Sequence, residues 1–167
     1  MGSVTYAQNS EVSGDFSVFS ANGKYMAAGQ ITVGPDGAGN CNVRVYETGR
    51  VREKPLWVYE YTLEGEADSI LSDDGTTFAS ISLWYFEDKP LVEIYRNGSK
   101  TASLMGKDFE IDPARLEQPG SPVPWLARKK PRYRFIRTRQ MPLAIEIVTI
   151  DGKRHRIDAT TGVLVPG

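Results

Sequence analysis

The chain has 167 residues, 40% of them hydrophobic and 25% charged, with a formal net charge of −1 and a single cysteine, Cys41. This length suits one domain, 1–167, that buries about 70% of its unfolded surface, so neither a metal nor a disulfide is needed to hold it together. One cysteine excludes an intramolecular disulfide, and no apolar run approaches the roughly 18 residues of a membrane span, so no transmembrane segment is predicted.

The charge is unevenly distributed. Residues 1–122 carry −8 and residues 123–167 carry +7, which makes the C-terminal quarter a basic patch on an acidic body. The opening residues, MGSVTYAQNSEVSGD, have neither the basic nor the apolar region of a signal peptide. They have the look of a trimmed start, and the expectation is a periplasmic or secreted protein.

In chain order, the first element is a Ser-x-x-Gly turn at 20–23 with a strand over 25–33, followed by a loop containing Asp36-Gly37. Strands rich in β-branched and aromatic residues follow at 42–46, 56–62, 77–86, 91–95 and 101–105. Several alternate cleanly: Val43 and Val45 oppose Arg44, and Val92 and Ile94 oppose Glu93, which gives each strand a core face and a water face. Asp112, Pro113 and the helix formers after them predict one short helix near 113–118, capped by the acid and opened by the proline. Pro119 to Pro124 is a stiff connector that coincides with the charge switch. Strands at 133–138, 143–150 and on through Ile157 close the chain. Asn22-Gly23, Asp36-Gly37, Asp74-Gly75, Asn97-Gly98 and Asp151-Gly152 are all suited to type I′ hairpin turns, so the fold is predicted to be an all-β antiparallel meander.

FSANGKYMAAG, from Phe19, is echoed by LSDDGTTFASI, from Leu71, and the two copies run on to NVRVYETG and LVEIYRNG. Repeat units of about 15–62 and 67–105 result, followed by a helix and Pro-rich connector at 106–131 and a basic β unit at 132–167. The repeated strand, Ser-x-x-Gly turn, strand and Tyr-x-x-Gly ending resembles a blade of the WD40 and YncE-like β-propeller families. The terminal IDGKRHRIDATTGVLV carries a related Asp-x-x-Thr-Gly ending. LWYFEDKPLVEIYRNG and DGKRHRIDATTG also look like small exported bacterial proteins, a likeness that implies no activity. The resemblance implies tandem blade-like repeats, but both turns lack the family's Pro, there is no Trp-Asp pair, and two or three blades cannot close a ring of four to eight. Three arrangements would cover the open faces: the C-terminal segment folding back, a homo-oligomer completing the sheets, or a compact sandwich.

Residues 128–139 hold seven cations in twelve positions, Arg128, Lys129, Lys130, Arg132, Arg134, Arg137 and Arg139, interleaved with Tyr133 and Phe135. Cations beside rings suit an anionic surface or single-stranded nucleic acid, whereas strict alternation suits a solvated strand that pairs with the acidic body. His155, the only histidine, lies among cations with no Gly-x-Ser-x-Gly elbow, which points away from a serine hydrolase. The many carboxylates would serve a carbohydrate- or ester-active hydrolase only if two converged. Trp84, Tyr85 and Phe86 cannot all face one core, and with Trp57, Tyr59 and Trp125 they are candidates for a sugar- or peptide-binding platform. The expectation is a non-catalytic binding module without cofactor or metal. It contacts protein or carbohydrate through Trp84, Tyr85, Trp125, Arg128, Arg132, Arg134, Arg137 and Arg139, with an anion- or nucleic-acid-binding module and a hydrolase as the alternatives.

Overall fold

The structure, a computed structural model, describes residues 12–33, 39–51, 53–63, 66–116 and 123–166. Three four-stranded antiparallel sheets follow one another along the chain. Sheet 1 is β1 (Val12–Phe19), β2 (Tyr25–Val33), β3 (Gly39–Glu47) and β4 (Trp57–Leu63); sheet 2 is β5 (Ala67–Leu71), β6 (Thr77–Ser82), β7 (Pro90–Arg96) and β8 (Ser99–Met105). Sheet 3 is β9 (Tyr133–Ile136), β10 (Ala144–Val148), β11 (Arg154–Asp158) and β12 (Leu164–Pro166). In each sheet neighbours in sequence are neighbours in space, so the fold is all-β and meandering.

The three sheets stack with sheet 2 in the middle. Phe78 and Tyr95 pack with Ala27, Val43, Val45 and Tyr59 of sheet 1. The alternate residues Ala79, Ile81, Val92 and Ile94 pack with Ile145, Ile147 and Ile157 of sheet 3. Strand side chains alternate, so one strand feeds both cores, and all six residues of β6 are buried. The C-terminal sheet 3 therefore lies against sheet 2. One interface is aromatic, with Tyr59 stacked on Tyr95 at 4.0 Å. The other is aliphatic around Trp125 and Phe109.

A Ser/Thr-x-x-Gly turn recurs in each sheet. In sheets 1 and 2 it joins the first two strands: Ser20 Oγ donates to Asn22 Oδ1 at 2.8 Å and Ser72 Oγ to Asp74 Oδ1 at 2.6 Å. In sheet 3 it joins the second and third strands, with Thr149 Oγ1 donating to Asp151 Oδ1 at 2.6 Å. The glycine N–H returns to the Ser or Thr carbonyl in each case, at 2.9, 3.0 and 2.9 Å. Only the glycine takes positive φ here, whereas both Asn97 and Gly98 do. The expectation of type I′ turns is thus corrected for residues 22–23, 74–75 and 151–152, because the hydroxyl-to-carboxylate or amide bond holds the preceding residue in ordinary φ. Asp36-Gly37 lies outside the described residues.

These turns also join the sheets. Asn22 donates its backbone N–H to Asp73 Oδ1 at 2.8 Å and its side-chain Nδ2 to the Asp73 carbonyl at 2.9 Å. Trp57 Nε1 donates to the Gly75 carbonyl at 2.8 Å, and the Tyr25 ring lies where a side chain on Gly75 would be.

The predicted helix is α1 (Pro113–Leu116), where Asp112 Oδ1 caps the Ala114 N–H at 3.0 Å. Positions 117–118 of the prediction fall outside the described residues. A 3₁₀ turn, Gly106–Phe109, precedes it and buries Phe109. After the connector, Trp84 bridges Pro124 and Leu126 bridges Thr149, so residues 123–127 tie sheet 2 to sheet 3.

Candidate functional site

The aromatic residues of the expected platform fall in different parts of the fold. Trp125 is fully buried, donates Nε1 to the Ser82 carbonyl at 2.7 Å and lies 4.8 Å from Phe109. Its assignment as a ligand-binding residue is corrected: an indole whose one donor is engaged inside a core has no surface to offer. Trp84 and Tyr85 are half-buried where residues 83–86 leave the sheet, Tyr85 donating its backbone N–H to the Val123 carbonyl at 2.7 Å. Burial, with Glu87 and Asp88 nearby, pushes the Tyr85 phenol up. Trp57 is stacked on Tyr59 at 5.7 Å, between sheets 1 and 2.

The basic segment is divided by the pleat. Tyr133 and Phe135 face inward and pack on the core between sheets 2 and 3. The Tyr133 hydroxyl donates to Asp68 Oδ2, and burial followed by that contact raises its pKa strongly. Arg132 is half-buried with Nη2 4.0 Å from Asp68 Oδ2. Arg134 points to the opposite, outer face of sheet 3. Arg128, Arg137 and Arg139 are exposed and make no ion pair among the described residues.

Arg134 meets partners absent from the sequence-predicted site. In the register, Glu146 of β10 stands opposite Arg134 of β9 on one side and Arg156 of β11 on the other, with Arg154 one step along the same face. Glu146 Oε1 accepts Nη2 and Nε of Arg134 at 2.9 and 3.2 Å and Nη1 of Arg154 at 3.2 Å. Its Oε2 lies 3.7 Å from Arg156 Nε. The carboxylate side chain is 7% exposed, whereas the three arginines are 55%, 56% and 38% exposed. A depression of about 310 Å³ opens beside Arg134 and Arg154, lined also by Lys129, Lys130, Glu146 and Val148 among others.

The sequence did hold a signal for Glu146: a lone acid inside the apolar run LAIEIVTI demands a partner once the strand is buried. What it did not reveal is that Arg154 and Arg156 supply that partnership, since this depends on the pairing register. A shallower depression of about 480 Å³, lined by Ser17, Ala28, Gln30, Asn42, Arg44 and Tyr46, opens on the outer face of sheet 1. Among the described residues no helix is long and apolar enough to cross a membrane, and no three His, Cys, Asp or Glu side chains gather as a metal site.

Fold and site together define an all-β, three-sheet protein with a concentrated cationic face. No protein-family model, no curated protein and no solved structure matches the chain.

Proposed function

We propose that this chain is a non-catalytic binding module whose ligand is anionic and is held on the outer face of sheet 3. The observation that carries the reading is the gathering of Arg134 and Arg154, from two strands, with Lys129 and Lys130 around one depression whose single acid, Glu146, is buried and also pairs with Arg156. Exposed cations gathered on one concave face raise the local concentration of a negatively charged partner and speed its association. The inward packing of Tyr133, Phe135 and Trp125 favours a ligand recognised by charge over one recognised by stacking, whether carbohydrate ring or nucleobase. Blade-like repeats remain part of the proposal; the recurring Ser/Thr-x-x-Gly turn in three stacked meanders supports that reading.

The test is anisotropy of fluorescently labelled polyphosphate, which has charge but no rings, titrated with the full chain across a salt series. Tight binding at low salt and a steep linear loss with log salt are expected, with Arg134→Ala and Arg154→Ala each flattening the slope. Affinity indifferent to salt, or no binding at low salt, overturns the reading.

A further inference from the structure

One guanidinium balances the charge of one buried carboxylate, yet Glu146 has three around it. Neighbouring strands lie about 4.8 Å apart, so Arg134 and Arg156, one on each side of β10, are held about 10 Å apart at their backbones and drawn together at their tips by a shared carboxylate. Each guanidinium has five N–H donors. Only three of them, two from Arg134 and one from Arg154, hydrogen-bond to Glu146. Arg156 Nε is buried 3.7 Å from Glu146 Oε2 and makes no hydrogen bond among the described residues, so that side chain, 38% exposed, can meet a ligand only through its terminal nitrogens. The arrangement is a buried acid flanked by three partly exposed arginines with surplus positive charge, and Lys129 and Lys130 line the depression that Arg134 and Arg154 also line.

We propose that the group recognised here is a tetrahedral oxyanion of two or more charges, a phosphate monoester above all, seated on Arg134, Arg154 and Arg156, and that Glu146 is a positioning residue for those donors. The inference rests on the binding-module reading above and deepens it. Planar guanidiniums match phosphoryl oxygens with paired N–H bonds, and donors already fixed by a buried acceptor lose less freedom when the ligand arrives. A singly charged carboxylate would leave most of the surplus charge uncompensated.

The full chain is titrated calorimetrically with inorganic phosphate and pyrophosphate at constant ionic strength in chloride. Saturable one-to-one binding is expected, with Arg154→Ala and Arg156→Ala each weakening it by about tenfold or more. Glu146→Gln keeps an acceptor oxygen but removes the charge that gathers the arginines. It is expected to weaken binding about threefold or more, although the face becomes more positive. A Glu146→Gln protein that melts like the parent and binds equally well or more tightly overturns the positioning role. Should that variant fail to fold, the exposed Arg154→Ala change decides, and unchanged phosphate affinity in it overturns the site. If polyphosphate binds but inorganic phosphate and pyrophosphate do not saturate, the oxyanion assignment falls while the binding-module reading stands; if none binds, both fall. Phosphatidylcholine vesicles with and without phosphatidic acid separate the sources. Preference for phosphatidic acid vesicles over free pyrophosphate assigns a lipid headgroup, and the reverse assigns a soluble phosphate.

Discussion

Trp125 offers the sharpest test of the packing argument, because sequence and structure give it opposite roles. Its side chain is fully buried, its indole N–H reaches the Ser82 carbonyl at 2.7 Å, and its carbonyl accepts the Ile150 N–H at 2.7 Å. Removing the indole to Cβ exposes or empties about 150–250 Å² of apolar surface, worth about 4–6 kcal/mol at 25 cal/mol per Å² as an upper estimate. Trp→Ala changes in cores cost about 3–5 kcal/mol, so Trp125→Ala is expected to cost about 4 kcal/mol. That is a large share of the roughly 5–15 kcal/mol that holds a domain folded. In a protein of this size it lowers the melting midpoint by about 8–16 °C. Trp125→Phe keeps most of the ring and loses the N–H···O bond, and should cost about 1–2 kcal/mol. The assay is urea unfolding followed by far-ultraviolet circular dichroism, which does not depend on the tryptophan removed. A Trp125→Ala protein within about 1 kcal/mol of the parent that had nevertheless lost its ligand would refute the core assignment and restore a binding role.

Two glycines of equivalent turns separate backbone strain from packing. Gly75 and Gly23 have φ of +69° and +70°, but a Cβ on Gly75 falls 2.4 Å from Tyr25 Cδ1 whereas nothing lies within 4 Å of Gly23. Gly23→Ala should therefore cost about 1 kcal/mol and Gly75→Ala about 2–4 kcal/mol in the same urea assay, and equal costs would sink the account of the sheet 1 to sheet 2 contact. Burial pushes the pKa of His155 below its ordinary value, Lys153 helping and Asp151 and Glu110 opposing. A neutral imidazole favoured by the fold gives stability that is complete above the unfolded value of about 6.5 and is lost as pH falls below it toward the folded value. Unfolding midpoints of the parent should drop between about pH 7.5 and 5, and His155→Gln should flatten that limb; parallel curves would contradict it. For Asp74, burial acts to raise the pKa, but the Ser72 hydroxyl and the Thr76 N–H and hydroxyl together hold it below the usual carboxylate range. Its contribution is present above the ordinary value of about 3.9 and lost below it, so Asp74→Asn should shrink the acid-unfolding limb under about pH 4, and an unchanged limb would count against the turn network.

The elements themselves were legible because their causes are local. The alternation of Val43, Arg44 and Val45 buries two residues and exposes one wherever the strand is placed, and Asp112-Pro113 caps a helix with its own side chain. The Ser20 and Ser72 turns likewise repeat in structure because hydroxyl, acceptor and glycine lie within four residues. Position within the molecule was another matter. Nothing in TFASIS states that both of its faces are covered; that followed only when sheets 1 and 3 closed on β6. The same holds for the candidate site. The basic run at 128–139 was plain in the sequence, yet the pleat sent its rings to the core and Arg134 to the surface. The pairing of β10 with β9 and β11 then chose Glu146, Arg154 and Arg156 as its companions. Sequence alone determined most of the strands, the places of the turns and the charge, because those depend on residues within a few positions of one another. Register and stacking decided which charges met and which rings were buried, because they join residues as far apart as Arg134 and Arg156, which no local preference links.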